Sequence, residues 1–103
     1  MSDKEVLELA AKAAGHRTFG FDAKGNILTD SIVYAPWNPL NNDADAFHLA
    51  HQMEMNIHYG QKVILVSEPA DACSYTVDID GPDIMSHMRK AITYLAASVG
   101  EWL

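Results

Sequence analysis

His48, His51 and Glu54, spaced three apart, are by type the residues of this chain best suited to hold a metal ion. Residues three apart share a helix face, so two imidazoles could reach one ion. Zinc proteases, however, place their histidines four apart with a glutamate beside the first, and neither feature is present. If Ala46, Leu49, Ala50 and Met53 turn inward, His48 and His51 face solvent. The expectation is no metal and no cofactor.

Nucleophilic chemistry has one candidate, Cys73, the single thiol. It opens an alternating strand pattern and reads as a small buried apolar residue. His58, on a neighbouring strand, is a geometrically possible base. Alternation nevertheless groups Cys73 with the apolar set and His58 with the polar one. There is no serine in a glycine elbow, no glycine-rich phosphate loop and no Cys-x-x-Cys. Asp43, Asp45, Glu68, Asp71, Asp78, Asp80 and Asp83 offer carboxylate pairs, but no spacing singles out an acid and a base. The residues therefore point away from an enzyme.

Charge points toward binding. Fourteen acids against seven bases give a net charge of -7. Such a surface repels phosphate backbones and anionic lipid, which bind through Lys and Arg, so neither nucleic acid nor a membrane is an expected direct partner. Between residues 68 and 83 the chain holds five acids and no base. Asp78, Asp80 and Asp83 faintly resemble a calcium loop, without its ligand register or terminal glutamate. The alternatives are a solvated strand end and an acidic docking edge for a basic protein surface. The candidate partner-binding set is Glu68, Asp71, Asp78, Asp80 and Asp83, with Trp37 as an aromatic anchor, since Trp and Tyr are over-represented at interfaces. Tyr34 and Phe47 lie near Trp37 in the chain, where core and staple roles compete with that one.

The elements that must position these residues read as one α+β domain over residues 1–103. Ser2 and Glu5 form a capping box, Val6, Leu9, Ala10 and Ala13 recur at helical spacing, and Gly15 ends the run. Two short strands over residues 16–21 and 27–34 flank a turn in which Gly25 and Asn26 tolerate positive φ. Pro36 and Pro39 then end any strand or helix. Asn41 or Asn42 caps a second helix, with Asp43 and Asp45 at its positive end and Trp37 or Leu40 packing on Phe47 or Ala46 as a staple.

Residues 55–59 alternate, Gly60 and Gln61 supply a turn, and residues 63–66 form an interior strand. Cys73, Tyr75, Val77 and Ile79 then alternate against Ser74, Thr76 and Asp78. Pro82 stands at or near the start of a last helix whose stripe is Ile84, Met88, Ala91, Ile92, Leu95, Val99 and Trp102, with Arg89, Lys90, Thr93 and Glu101 off it. The order αββαβββα implies a layered sandwich: three helices and a mainly antiparallel sheet of about five strands. No apolar run approaches the ~20 residues of a membrane span. The first fifteen residues do not read as a signal peptide, and a lone cysteine fits a reducing cytoplasm.

Trp37-Asn38-Pro39-Leu40, followed by Asp43, Asp45-Ala46 and a helix bearing Leu49-Ala50, resembles a group of small bacteriophage proteins. That family is the phage α/β/α-sandwich domain, similar in pattern to the NinX-type phage proteins. The chain departs from the pattern in carrying Asn-Asn-Asp-Ala-Asp where an acidic turn with glycine is usual. Its closing helix also has only Arg89 and Lys90 as bases. The resemblance implies a phage origin and an α+β sandwich, and it brings no catalytic residues.

Two functional expectations follow. One is a non-enzymatic, phage-encoded interaction protein in the host cytoplasm, an inhibitor of a bacterial defence system such as CRISPR-Cas in its sharpest form. Its partner is a host or phage protein with a basic surface, and a homodimer through Val99, Trp102 and Leu103 of the last helix is a further option. The other expectation is a small-ligand binder that sequesters a nucleotide signal. There Trp37, Tyr59 and Tyr75 would stack a base, and Arg17, Arg89 or Lys90 would meet phosphate.

Overall fold

The computed structural model describes residues 2–30, 35–69 and 74–103. Tyr34, Asp71 and Cys73, singled out above, lie outside the described residues. Among the described residues three helices and six antiparallel strands alternate in the order αβββαβββα, in two separate three-stranded sheets. The α+β class and the three helices are as the sequence implies. The strand count and the split into two sheets are new. Each sheet pairs only strands that follow one another, and a helix separates the two sets.

Helix α1 (Asp3–Ala13) starts at Ser2, whose hydroxyl accepts the Glu5 N–H at 3.3 Å and donates to the Glu5 carboxylate at 3.3 Å. The first sheet follows. β1 (Thr18–Phe21) and β2 (Ile27–Thr29) pair antiparallel around a turn in which Gly25 sits at φ 85°. The Asp22 carboxylate closes that turn by accepting from the N–H groups of Lys24 and Asn26 at 2.9 and 3.0 Å. It also takes the Asn26 side-chain amide at 3.1 Å. β3 (Ala35–Trp37) pairs with β2 along its other edge and contains Pro36, which the sequence reading took as a strand breaker. As an edge strand, β3 tolerates a residue with no N–H to donate.

Helix α2 (Asp43–Gln52) is capped by Asn42, whose side chain accepts the Asp45 N–H at 2.9 Å. It buries Ala46, Leu49 and Ala50 and leaves His48 and His51 exposed, as the spacing required. The second sheet is the expected meander, β4 (Asn56–Tyr59), β5 (Val63–Ser67) and β6 (Ser74–Asp78), with β5 in the middle. Ile64 and Val66 of β5 are fully buried while Leu65 faces outward, so one face of this sheet is covered.

Helix α3 (Ile84–Glu101) is that cover, and it also packs on α1 and α2. Its cap is Asp83, which accepts the Ser86 N–H at 3.0 Å, so Pro82 precedes the helix instead of starting it. The buried face is broader than a single stripe. Thr93, placed off the stripe by pattern, is fully buried because its hydroxyl donates to the Arg89 carbonyl at 2.7 Å. Ile84 and Trp102, the ends of the pattern, are exposed. One core results, containing Leu7, Ile27, Trp37, Leu49, Ile64, Val66, Ile92 and Leu95, and burying each large aliphatic chain stabilises the fold by about 1.5–3 kcal/mol. No helix of the described residues is long and apolar enough to cross a membrane.

Candidate functional site

The acids between residues 68 and 83 do not form one patch. Ser67 pairs with Ser74 and Val63 with Asp78, so Glu68 and Asp78 belong to opposite ends of the β5–β6 pair. Four residues of strand separate those ends, roughly 13 Å at ~3.3 Å per residue. Asp78 and Asp80 stay with Asp83 on the approach to α3, and all three are exposed. Among the described residues no ion pair engages any of them. The Ile79 N–H between them donates to the Lys62 carbonyl at 2.7 Å, which fastens this edge to the β4–β5 turn. The His87 ring, one turn into α3, lies 2.7 Å from the Asp80 carbonyl through Nε2 and holds the loop from the other side.

Trp37 does not join that edge. It is 5% exposed, in the core, with its ring set edge-on to His16 at a centroid distance of 5.5 Å. The β2–β3 pairing places Trp37 opposite Ile27 and turns both inward, so the indole has no surface to offer a partner. The aromatic platform is dispersed in the same way. Tyr59 and Tyr75 belong to the second sheet and face α3: Tyr59 OH reaches Met88 Sδ at 3.5 Å, and Tyr75 packs on Tyr94 at 5.4 Å. Burial, with the Tyr94 phenol beside it, pushes the Tyr75 hydroxyl above its ordinary pKa. Lys90 lies over the Tyr94 ring at 5.5 Å.

His48 and His51 share an exposed face of α2 with Phe47, beside a shallow apolar depression of about 300 Å³. Among the described residues no group of three or more His, Cys, Asp or Glu side chains is placed to hold a metal ion. Trp102 and Leu103, proposed for a dimer contact, are exposed at the end of α3.

A second site was not visible as a motif. A polar cleft of about 170 Å³ opens at the start of α2, lined by Asn26, Pro36, Asn38, Asn41, Asn42 and Asp45. Asn26 and Asn38 are twelve positions apart in the chain. They meet because they follow the Ile27–Trp37 pair at the end of the β2–β3 ladder, and Asn38 Nδ2 donates to Asn26 Oδ1 at 3.1 Å. The Asn38 backbone N–H donates to Asp45 Oδ2 at 2.9 Å, and the Leu40 N–H to Asn38 Oδ1 at 3.2 Å. Behind the cleft, Arg89 of α3 donates through Nε to the Leu40 carbonyl at 3.0 Å and through Nη1 to Asp43 at 2.6 Å. The guanidinium that could have met a phosphate is thus engaged by the loop before α2.

No protein-family model matches the chain, and no curated protein or solved structure does.

Proposed function

We propose that this is a non-enzymatic binding protein whose acidic edge, Asp78, Asp80 and Asp83, docks onto a basic surface of a protein partner. The observation that carries the reading is the exposure of three carboxylates on one short, anchored stretch, with no ion pair among the described residues to neutralise them. The net charge of -7 extends the same field over the molecule and favours approach by a positive surface. Glu68, at the far end of the strand pair, is not part of this edge.

The more specific form of the proposal is a phage protein that acts in the host cytoplasm and occupies the basic groove of a defence complex such as CRISPR-Cas. What supports it is the resemblance carried by Trp37-Asn38-Pro39-Leu40 and the helix after it. A basic groove that binds nucleic acid is also the surface such an edge fits by charge.

The test is an affinity capture from bacterial lysate with the wild-type chain and with Asp78→Asn/Asp80→Asn, leaving Asp83 in place because it caps α3. The expected result is a stoichiometric partner held by the wild type, released by raised salt and lost by the double variant. Capture that is indifferent to both substitutions, or no stoichiometric partner, would overturn the reading.

A further inference from the structure

We infer that the asparagine-lined cleft at the start of α2 binds a neutral polyol, a single sugar ring or the end of a glycan. The argument begins with which atoms the fold uses. Asn26 and Asn38 each spend one hydrogen of the side-chain amide on the network already described, and the other hydrogen has no partner among the described residues. Asn42 spends its side-chain oxygen on the Asp45 N–H, and its amide nitrogen has no partner among the described residues. Among the described residues Asn41 engages neither end of its side chain, and Asp45 uses Oδ2 but not Oδ1. Asn38 is only 6% exposed, so its remaining N–H has little access to anything except the cleft it lines.

The walls therefore present many amide donors and few acceptors, of which the Asp45 carboxylate is the strongest. A hydroxyl group complements this, since each oxygen accepts two hydrogen bonds for the one it donates. A ring of vicinal hydroxyls accepts from the asparagine amides and donates to Asp45 Oδ1 and Asn41 Oδ1.

Charge excludes the alternatives. Among the described residues no Lys or Arg lines the cleft, and Asp45 would face an incoming anion. A cation would face the positive end of the α2 dipole, since the cap Asn42 and the first-turn residue Asp45 line the cleft. Among the described residues no aromatic side chain lines the cleft, so none of them offers a nucleobase a ring to stack on. The volume, about 170 Å³, is below the ~300–1,000 Å³ of pockets that enclose drug-sized ligands, which limits the occupant to a fragment the size of one ring. Pro36 gives that ring one apolar wall.

The experiment is an NMR titration of ¹⁵N-labelled protein that follows the side-chain amide signals of Asn26, Asn38, Asn41 and Asn42. The probes are glucose, galactose, mannose and N-acetylglucosamine, with glucuronate and glucosamine as charged counterparts. At least one neutral sugar is expected to move the Asn38 and Asn41 signals saturably and more strongly than either charged sugar. The Asn41 side chain makes no hydrogen bond among the described residues, and its backbone N–H, which donates to the Asn38 carbonyl at 3.1 Å, is kept by any substitution but proline, so Asn41→Ala and Asn41→Leu keep the structure. Asn41→Ala is expected to weaken binding by about tenfold, the effect of about one hydrogen bond, and Asn41→Leu to block it.

No shift with any neutral sugar overturns the inference, as does a shift that survives Asn41→Leu or a stronger response to glucuronate. The backbone signals of Asp78 and Asp80 serve as the internal reference. They lie outside the cleft, so the sugar result stands or falls independently of the acidic edge.

Discussion

Gly100 is the position where a single methyl group does the most damage. It lies in the last turn of α3 where that helix crosses α1, and an added Cβ would sit 2.1 Å from the Leu9 carbonyl oxygen, 2.8 Å from its carbon and 3.2 Å from its Cα. All three are backbone atoms of a helix, so no rotamer change relieves the contact. Reaching van der Waals distance requires the helices to part by roughly 1 Å or more, because carbon contacts settle near 3.5 Å. That separation loosens the α1–α3 packing, at which Leu7, Ala10 and Ala11 of α1 and Ala96 and Ala97 of α3 are the buried side chains put at risk.

Overpacking of this kind costs about 1–3 kcal/mol, and a clash with backbone belongs at the upper end. Alanine returns up to ~1 kcal/mol through its better helix propensity, less in a final turn. Gly100→Ala should therefore destabilise by about 2 kcal/mol, lowering Tm by roughly 8–16 °C for a domain of this size. Urea unfolding followed by circular dichroism gives the number directly, with an unchanged m-value showing that the same surface is still exposed on unfolding. A variant as stable as the wild type, or more so, would mean that helix propensity outweighs packing here and that the α1–α3 approach is looser than 2.1 Å implies.

Two further outcomes follow from the polar network. Asn38→Ala removes the acceptor of the Leu40 N–H and the donor to Asn26 at a site 6% exposed, and should cost about 1–3 kcal/mol in the same urea assay. At the Asp22 turn, loss of solvent contact is the largest influence and pushes the carboxyl pKa upward. The Asn26 backbone and side-chain donors, the Lys24 N–H and the Lys24 charge outweigh it and hold the pKa below its ordinary value. A depressed folded-state value means that this stabilisation is present above the unfolded pKa, near 3.9, and is lost as pH falls through the folded value. The gap in midpoint between wild type and Asp22→Ala should therefore be constant near neutrality and close in acid. A gap that widens in acid would show that the hydrogen bonds to the carboxylate are not its source.

What the sequence made legible was whatever depends on neighbours along the chain. The Ser2 and Asn42 caps, the inward set Ala46, Leu49 and Ala50, and the alternation of residues 55–58 and 74–79 are local patterns, and each takes the form its spacing implies. Pro36 was misread because a proline rules out a central strand but not an edge, and nothing local says which strand is an edge. Trp37, for which core and interface roles compete in the sequence, is decided for the core by a related feature. Its burial depends on the pairing with Ile27, ten positions earlier, and a tryptophan beside two prolines looks the same in sequence whether it anchors a core or a surface. The acids from residue 68 to 83 looked like one cluster because sequence distance ignores the reversal of direction between β5 and β6.

The stretch from Trp37 to Asp45 shows why finding a structural role for a residue does not end the question of function. All of its polar side chains except Asn41 have a job in the fold: Asn42 caps α2, Asp45 holds the Asn38 N–H, Asn38 ties the loop to the β2 end, and Asp43 holds Arg89. A job is done by particular atoms, however, and an amide side chain carries two hydrogens and an oxygen. Where a network consumes one atom of a group that lines a shared cleft, the same bonds that stabilise the fold fix the geometry of the atoms that remain. Rigid, partly used amides are better placed to recognise a small ligand than free ones, since their conformational entropy is already lost when the ligand arrives. Asn38→Ala and Asn41→Ala separate the two uses of the stretch: the first should unfold the network, and the second should leave stability within about 0.5 kcal/mol while removing a wall of the cleft.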